Sequence, residues 1–557
     1  MKTIKTGGYM DTNNEVVASI SPEIAIDQRL PFYSGGLGVV EGDSARTAPK
    51  MGYNMVFVSL LAREGYYDQY IDENKMGIRY VRWEREQEFL DDTGILFPIE
   101  VNGKINWVKV WQIKDIFNTA PIYLLDTDIE QNDYLARLNT RRLYGGTCHS
   151  GLNTEELGKR KVAQFQILGQ GAVEALRRLK YRPRKYHLNE GHCAFAALEL
   201  LNRTLLESEN MTLQEAVKHC KSKIVFTTHT PVPAGNESFD FSVVSQMMNL
   251  NGHGPLNVEL LKILGGDPFG QFNLASCCMR LSGKANAVSQ KHLGVAKDMW
   301  EGMDGIAPLI GITNGVDQDF WQYEDFKDAD TPEKTAAAKL AHKSEVINKY
   351  APWFDPNIAL GCWGRRWAAY KRPQLFFRDA EWASNILKNG KLQLIIAGKP
   401  HPDDKDRIDD WNNLLKLSKS KDFPNLVLLP GYELGMMKEL QGAADIWINT
   451  PRSPNEASGT SGMKANGAIN LTIPDGWACE MEPTNGFLFG TYAPMSNIFT
   501  QDNADFEGLK EAVNNALTMH YFNRKDWNRK MLNSNRERME RWSMKRTLGA
   551  YFEKLYK

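Results

Sequence analysis

Lys464 lies in NEASGTSGMKANGAINLTIPDGW (455–477), a Gly/Ser/Thr-rich turn between the apolar runs WINTP and AINLTI. A lysine placed there is either a solvated loop residue or one that holds a ligand. A second set of cations lies in WGRRWAAYKRPQ (363–374), where Arg365, Arg366, Lys371 and Arg372 follow the apolar IALGCW. If this segment is helical, Arg366 and Lys371 stand somewhat over one turn apart on neighbouring faces. Two or three cations meeting in one cleft suit a doubly charged phosphate, Arg as a bidentate fork and Lys as a point charge. A basic surface helix is the alternative.

Three further stretches offer polar chemistry. In YSGGLGVVEGD (33–43), Gly35, Gly36 and Gly38 let the backbone approach a ligand, and a helix N-terminus after them would favour an anion. The third glycine of a GxGxxG fingerprint would fall at Glu41, so a dinucleotide is not indicated, and a plain tight turn fits equally well. His229, in VFTTHTPVPAGNESFD (225–240), closes a strand before Pro231 and Pro233 and is a ligand group or a structural one. Asn314, in ITNGVDQDFW (312–321), can bond a sugar hydroxyl or cap a turn. His187 and His192 in HLNEGH do not have the HExxH spacing of a zinc site.

The elements that must position these groups alternate. Apolar runs at 55–61, 121–126, 223–229, 392–398, 425–431 and 445–451 are expected strands, and 159–179 and 404–420 are expected helices. Strands apolar throughout, separated by helices, point to an α/β fold with parallel sheets covered on both faces. Ligands then belong at the carboxyl ends of strands, where Gly, Pro, His and Asn cluster here. The polar-then-helical 324–351 begins a second unit. The tail NRERMERWSMKRTLGAYFEKLYK is expected to be one amphipathic helix with Trp542 and Tyr551 on its apolar side.

The chain has 557 residues, and one core rarely serves more than ~250–300 residues, so two domains are expected. A formal net charge of -1 gives no basic surplus for nucleic acid or an anionic membrane. No apolar stretch approaches a membrane span, and the N-terminal residues lack a signal-peptide core. Seven cysteines without a CxxC suggest reduced thiols in a cytoplasm.

Taken in order, LPFYSGGLGVVEGD, RRLYGG, YHLNEGHCAFAALEL, VFTTHTPVPAGNESFD, ITNGVDQDFW, RRWAAYKRPQ, IIAGKPHPDD and EASGTSGMKA resemble the α-glucan phosphorylases, specifically the short branch of the glycogen/starch/maltodextrin phosphorylase family. The resemblance implies two Rossmann-like domains facing a central cleft, the GT-B architecture. Matching residues would divide as 1–316 and 317–525, with a C-terminal helix at 526–557 packing back on the first domain. It implies pyridoxal 5'-phosphate carried on Lys464, with Arg365, Thr460 and Ser461 at the cofactor phosphate. Arg366 and Lys371, with the backbone from Gly36 to Gly38, would hold the substrate phosphate. Glu456, Ser458, Gly459, Asn314 and His229 match positions that bind glucosyl hydroxyls, and Tyr370 lies beside the phosphate and sugar. Lys464, Arg366, Lys371 and His229 form the implied catalytic set, with the His229 carbonyl facing the developing cation.

The implied reaction is reversible phosphorolysis of an α-1,4-glucan or maltooligosaccharide by orthophosphate to glucose 1-phosphate, with retention, in the cytoplasm. Self-association is compatible with the resemblance; metal, nucleic-acid and membrane partners are not implied. Only about thirty residues precede SGGLG, so the nucleotide and phosphorylation control of long members is expected to be missing. KANGAINL after Lys464 is about two residues shorter than the family pattern. TCHSGLNTEELGKRKVAQFQ after RRLYGG lacks the Arg-rich pattern, and SQKHLGVAK lacks the usual HGE. Two other readings stay open: a nucleotide-sugar glucosyltransferase of the glycogen synthase kind, which needs no cofactor lysine, and a non-catalytic glucan-binding relative.

Overall fold

Two large β-sheets organise the chain in a computed structural model that describes residues 16–145, 154–208, 210–232, 235–250 and 254–557. The variant stretch TCHSGLN (147–153), the N-terminal residues and Pro233 lie outside the described residues.

The first sheet has nine strands, in spatial order Leu309–Gly311, Lys284–Ala287, Ile224–Thr228, Pro183–Asn189, Val16–Ile20, Met55–Leu60, Ile122–Asp126, Lys104–Ile113 and Leu90–Val101. From Leu309–Gly311 to Ile122–Asp126 every pairing is parallel. Strands such as VVASI, MVFVSL and IVFTT are buried at every residue. They are buried because helices cover both sides. Leu168 and Leu198 pack on one face, and Val40 and Ala45 of helix Gly36–Lys50 pack on the other.

The expectation of purely parallel sheets needs correction at this sheet's edge. Leu90–Val101 and Lys104–Ile113 form an antiparallel hairpin that pairs antiparallel with Ile122–Asp126. Its two-residue turn, Asn102–Gly103, has φ of 51° and 72°. Two left-handed residues in succession match the twist of paired strands, so Asn-Gly was a hairpin signal in the sequence.

The second sheet is parallel throughout, in the order Leu426–Leu429, Gln393–Ala397, Leu360–Gly364, Ile446–Asn449, Ile469–Thr472, Gly486–Leu488. Counted along the chain this is 3-2-1-4-5-6, a doubly wound order. Trp411, Leu509 and Trp527 cover one face; Val346, Ile347 and Leu440 cover the other.

Each sheet has a point where the strand order reverses. In the first it lies between Val16–Ile20 and Pro183–Asn189; in the second, between Leu360–Gly364 and Ile446–Asn449. Connections leave such strands in opposite directions and open a crevice at their carboxyl ends.

The tail is not the single helix expected from its pattern. Helix Arg524–Arg541 stops at Trp542, and a new helix, Met544–Ala550, starts with the Ser543 hydroxyl as its N-cap. The break lets the chain pair with its own outward crossing. The Val316 N–H donates to the Trp542 carbonyl (2.9 Å), and the Met544 N–H donates to the Val316 carbonyl (2.8 Å). At Gly315 a Cβ would lie 2.3 Å from the Ser543 carbonyl oxygen, so this approach requires glycine. Past the break, Met544, Leu548 and Tyr551 pack with Val17 and Phe57 of the first sheet. Among the described residues no helix is long and apolar enough to cross a membrane.

Candidate active site

A cavity of about 1260 Å³ is lined from both sheets and reaches both reversal points. Of the residues singled out in the sequence, Gly36, His229, Asn314, Arg365, Arg366, Tyr370, Lys371, Glu456, Ser458, Gly459, Thr460, Ser461 and Lys464 all line it. Gly38 does not. It is buried against the preceding segment, where a Cβ would lie 2.8 Å from Tyr33 Cβ and 3.1 Å from Glu23 Oε2.

The second sheet supplies the charge. Beyond Gly364 the chain continues the ladder instead of forming a helix: Arg365 N–H donates to the Ala397 carbonyl and Trp367 N–H to the Lys399 carbonyl. A short turn, Ala369–Lys371, then brings Lys371 back to the cavity. The two arginines therefore sit on opposite sides of an extended strand end. Arg365 is buried; its Nη1 donates to Glu456 Oε2 (3.1 Å) and its Nη2 to Ser461 Oγ (2.9 Å). Lys371 Nζ lies 3.1 Å from both Glu456 oxygens. Burial and the two neighbouring arginines push the Lys371 amine down to about 8, against the pull of Glu456. Burial alone would raise the Glu456 carboxyl; Lys371 and Arg365 outweigh it and hold it below its ordinary value.

Arg366 is different. It reaches into the cavity beside Gly35, whose Cβ position lies 3.8 Å from Arg366 Cδ, and has no ion pair or hydrogen bond among the described residues. Its side chain is exposed, and it lines the cavity.

Lys464 closes the charged wall at 1% exposure. Its amine donates to the Thr460 carbonyl (3.2 Å) and lies 4.3 Å above the Trp321 ring. Burial pushes it down to about 8, with Asp43 opposing and Arg365 assisting. Gly459, at φ +87°, turns the chain so that Thr460–Met463 can pass beneath the cavity.

The first sheet supplies carboxylates turned onto backbone. Glu190, directly after Pro183–Asn189, has a positive φ of 69°. Its Oε1 accepts from the His229 N–H (2.6 Å) and the Thr230 hydroxyl (2.9 Å). His229 is thereby fixed at the end of Ile224–Thr228. Its ring is pushed down to about 3 by burial, then by His292 and His187, so it is neutral at physiological pH. Glu23, three residues after Val16–Ile20, accepts from the Ser34 N–H, the Gly35 N–H (3.1 Å) and the Tyr144 hydroxyl (3.0 Å). The helix itself begins at Gly36, so the glycine run forms its first turn instead of preceding it. The first-turn N–H groups of Gly36, Leu37 and Gly38 have no acceptor within the helix.

The walls meet where Asn314 Nδ2 donates to Ser458 Oγ (3.1 Å) and Ser289 Oγ donates to the Ala457 carbonyl (2.7 Å). Beneath them Asp475 accepts from the Glu456 N–H (2.8 Å). Among the described residues, six buried polar atoms of cavity-lining residues have no partner: the Tyr66 hydroxyl, His192 Nδ1, His229 Nε2, Glu237 Oε2, Asn314 Oδ1 and Arg365 Nε. Buried polar groups are nearly always paired, so these mark places for ligand or water. No cluster of metal-ligating residues occurs among the described residues.

Glu23, Glu190 and Asp475 were missed in the sequence. Each is an acid two or three residues from a strand end or beside a glycine, in SPE, NEG and PDG. That signal is common to turns in general.

No family model matches the chain. It is 33% identical to an uncharacterized protein of Methanocaldococcus jannaschii over 96% of this chain and 98% of that one. It is 29% identical to the maltodextrin phosphorylase of Thermococcus litoralis, over 97% of this chain and 70% of that protein. It is 24% identical to the glycogen phosphorylase of Aquifex aeolicus, over 98% and 87%.

Proposed function

The chain belongs to the α-glucan phosphorylase family, and from that premise we propose that it is a retaining α-1,4-glucan phosphorylase of GT-B architecture. It takes a glucosyl unit from the non-reducing end of a glucan or maltooligosaccharide and gives it to orthophosphate. One observation carries the reading: a buried Lys464 amine, without an ion pair among the described residues, shares one cavity with the cations Arg365, Arg366 and Lys371.

The residues present fit pyridoxal 5'-phosphate. Lys464 offers an amine whose charge burial disfavours, as bonding to an aldehyde requires. Arg365, with an unpartnered Nε, and the Gly459–Ser461 turn would hold the phosphate. When bound, the cofactor supplies a phosphate that exchanges a proton with the substrate phosphate.

The chain's own residues do the rest. Arg366 and Lys371 hold orthophosphate, assisted by the open N–H groups at the start of helix Gly36–Lys50. Orthophosphate gives its proton to the glycosidic oxygen, the C1–O bond breaks, and a phosphate oxygen bonds C1 on the same face. Asn314, His229 and Glu456 hold the terminal glucose by its hydroxyls, and the unpartnered Asn314 Oδ1 and His229 Nε2 discriminate against sugars lacking the matching group. Because phosphate is the acceptor, no carboxylate pair is needed to activate water. Glu190 and Glu23 shape the wall by binding backbone. The two walls closing on the substrate keep water from the glucosyl cation.

The test is borohydride reduction of the protein incubated with pyridoxal phosphate, followed by peptide mass mapping. The pyridoxyl group is expected on Lys464; a label on another lysine in active protein overturns the assignment.

A further inference from the structure

The segment that carries Lys464 is held from behind by two side chains outside the cavity. Arg538, on helix Arg524–Arg541, is 1% exposed. Its Nη1 donates to the Lys464 carbonyl (3.1 Å) and its Nη2 to the Ala468 carbonyl (2.5 Å). Among the described residues no carboxylate lies within ion-pair distance of it. Gln318 approaches from the other crossing. Its Nε2 donates to the Met463 carbonyl (3.1 Å) and the Arg538 carbonyl (2.9 Å), and its Oε1 accepts from the Ala465 N–H (3.1 Å).

Burying a guanidinium without an anion is unfavourable, and an apolar side chain could fill the same volume. What an apolar side chain cannot do is satisfy two carbonyls at once. The tight turn after Lys464, with Gly467 at φ +66°, directs both carbonyls out of any regular ladder, and buried carbonyls need donors. The planar fork of arginine spans them; the single ammonium of lysine cannot.

The location adds meaning. Gln318 stands two residues after Val316, and Arg538 four residues before Trp542. Val316 and Trp542 are the paired crossings between the two sheets. We infer that Arg538 and Gln318 are positioning residues, which set the Lys464 segment against the cavity and tie it to the double crossing. Neither touches the cavity, and their effect passes through the backbone of Met463–Ala468. The inference rests on the proposed role of Lys464.

The experiment uses Arg538→Ala and Arg538→Lys in the full chain, with two readouts. The first is hydrogen exchange of the amides in 463–469, in protein without cofactor. The second is the rate of pyridoxal phosphate labelling at Lys464, trapped with borohydride. Loss of a charge-assisted contact corresponds to about tenfold to hundredfold in an equilibrium. Exchange is therefore expected to rise by about that factor in Arg538→Ala, and Lys464 labelling to slow comparably. Added guanidinium ion should restore both in part, and Arg538→Lys should fall between the wild type and Arg538→Ala. Should Arg538→Ala fail to fold, Arg538→Lys decides by the same readouts. Wild-type exchange and labelling in the folded variant overturn the inference. If the wild type takes no label at Lys464, the cofactor reading fails instead, and the exchange measurement still decides whether Arg538 holds the segment.

Discussion

The two strand-order reversals face one cavity but are equipped in opposite ways. At the second sheet the cavity wall carries four cations: Arg365 and Lys371 pair with the Glu456 carboxylate, Lys464 donates to the Thr460 carbonyl, and Arg366 faces the cavity without an ion pair among the described residues. At the first sheet the strand ends carry carboxylates, Glu23 and Glu190, which also line the cavity but are engaged by backbone N–H groups. One wall keeps its charge available for an anionic ligand. The other uses its charge to fix a loop and a helix start, and presents neutral groups. Under the proposed reading the cations of the second wall meet phosphate together with N–H groups of the first, and Asn314 and His229 of the first wall meet sugar hydroxyls together with Glu456 of the second.

The comparison can be broken most severely at Glu456. Glu456→Ala leaves Arg365 and Lys371 buried without their anion, and removal of one partner of such a pair costs about 3–5 kcal/mol. Denaturant unfolding of the cofactor-free protein measures it. Glu456 titrates below its ordinary value when folded, so its contribution is present above the ordinary carboxylate range and lost as pH falls through the folded pKa. The deficit of Glu456→Ala should accordingly shrink in acid. A deficit independent of pH would contradict the ion-pair account.

Next in size are Arg366→Ala and Lys371→Ala. Each removes a charge-assisted contact worth about 1.5–3 kcal/mol, and phosphate affinity and turnover should fall while cofactor content stays normal. Arg366 has no ion pair or hydrogen bond among the described residues, so its loss should leave stability nearly unchanged. Unaltered phosphate kinetics would remove the cations from the proposed role.

The first wall is sharpened by Glu41, whose carboxyl accepts from Ser19 Oγ (2.5 Å) and Asn189 Nδ2 (2.6 Å) behind the glycine turn. Burial pushes it up to about 7. The folded state thus binds this proton more tightly than the unfolded one. Its stabilising effect is full below the ordinary carboxylate pKa and is lost as pH rises through about 7. Glu41→Gln should flatten that decline by about 1–3 kcal/mol between acid and mildly alkaline pH. A decline equal to the wild type's would locate it elsewhere.

The smallest effects separate two glycines. Nothing lies within 4 Å of the position a Cβ would take at Gly36, so Gly36→Ala should change stability by less than about 1 kcal/mol while weakening phosphate binding. Gly38→Ala meets Tyr33 and Glu23 and should cost about 1–3 kcal/mol. Thermal unfolding together with phosphate titration distinguishes the two, and equal effects would refute the assignment of Gly36 to the cavity and Gly38 to packing.

The charged wall was more legible than the neutral one. RRWAAYK and GTSGMK announce themselves because cations and glycines sit beside strand-like apolar runs, and all six runs proposed as strands are strands. The helical spacing considered for Arg366 and Lys371 does not hold, since the strand's ladder extends past Gly364. The Asn102–Gly103 hairpin was written in the sequence and overlooked. Glu23 and Glu190 were not legible, because a carboxylate that binds backbone N–H looks like any turn acid until the loop is folded. The tail's break at Ser543 was hidden for a similar reason: it depends on pairing with Val316, over two hundred residues away.

The most direct measurement is the product formed from maltooligosaccharides and orthophosphate by the protein loaded with pyridoxal phosphate. The account predicts glucose 1-phosphate, dependent on orthophosphate, from α-1,4 chains and not from cellooligosaccharides. No glucose 1-phosphate, or glucosyl transfer only from a nucleotide sugar, would contradict it.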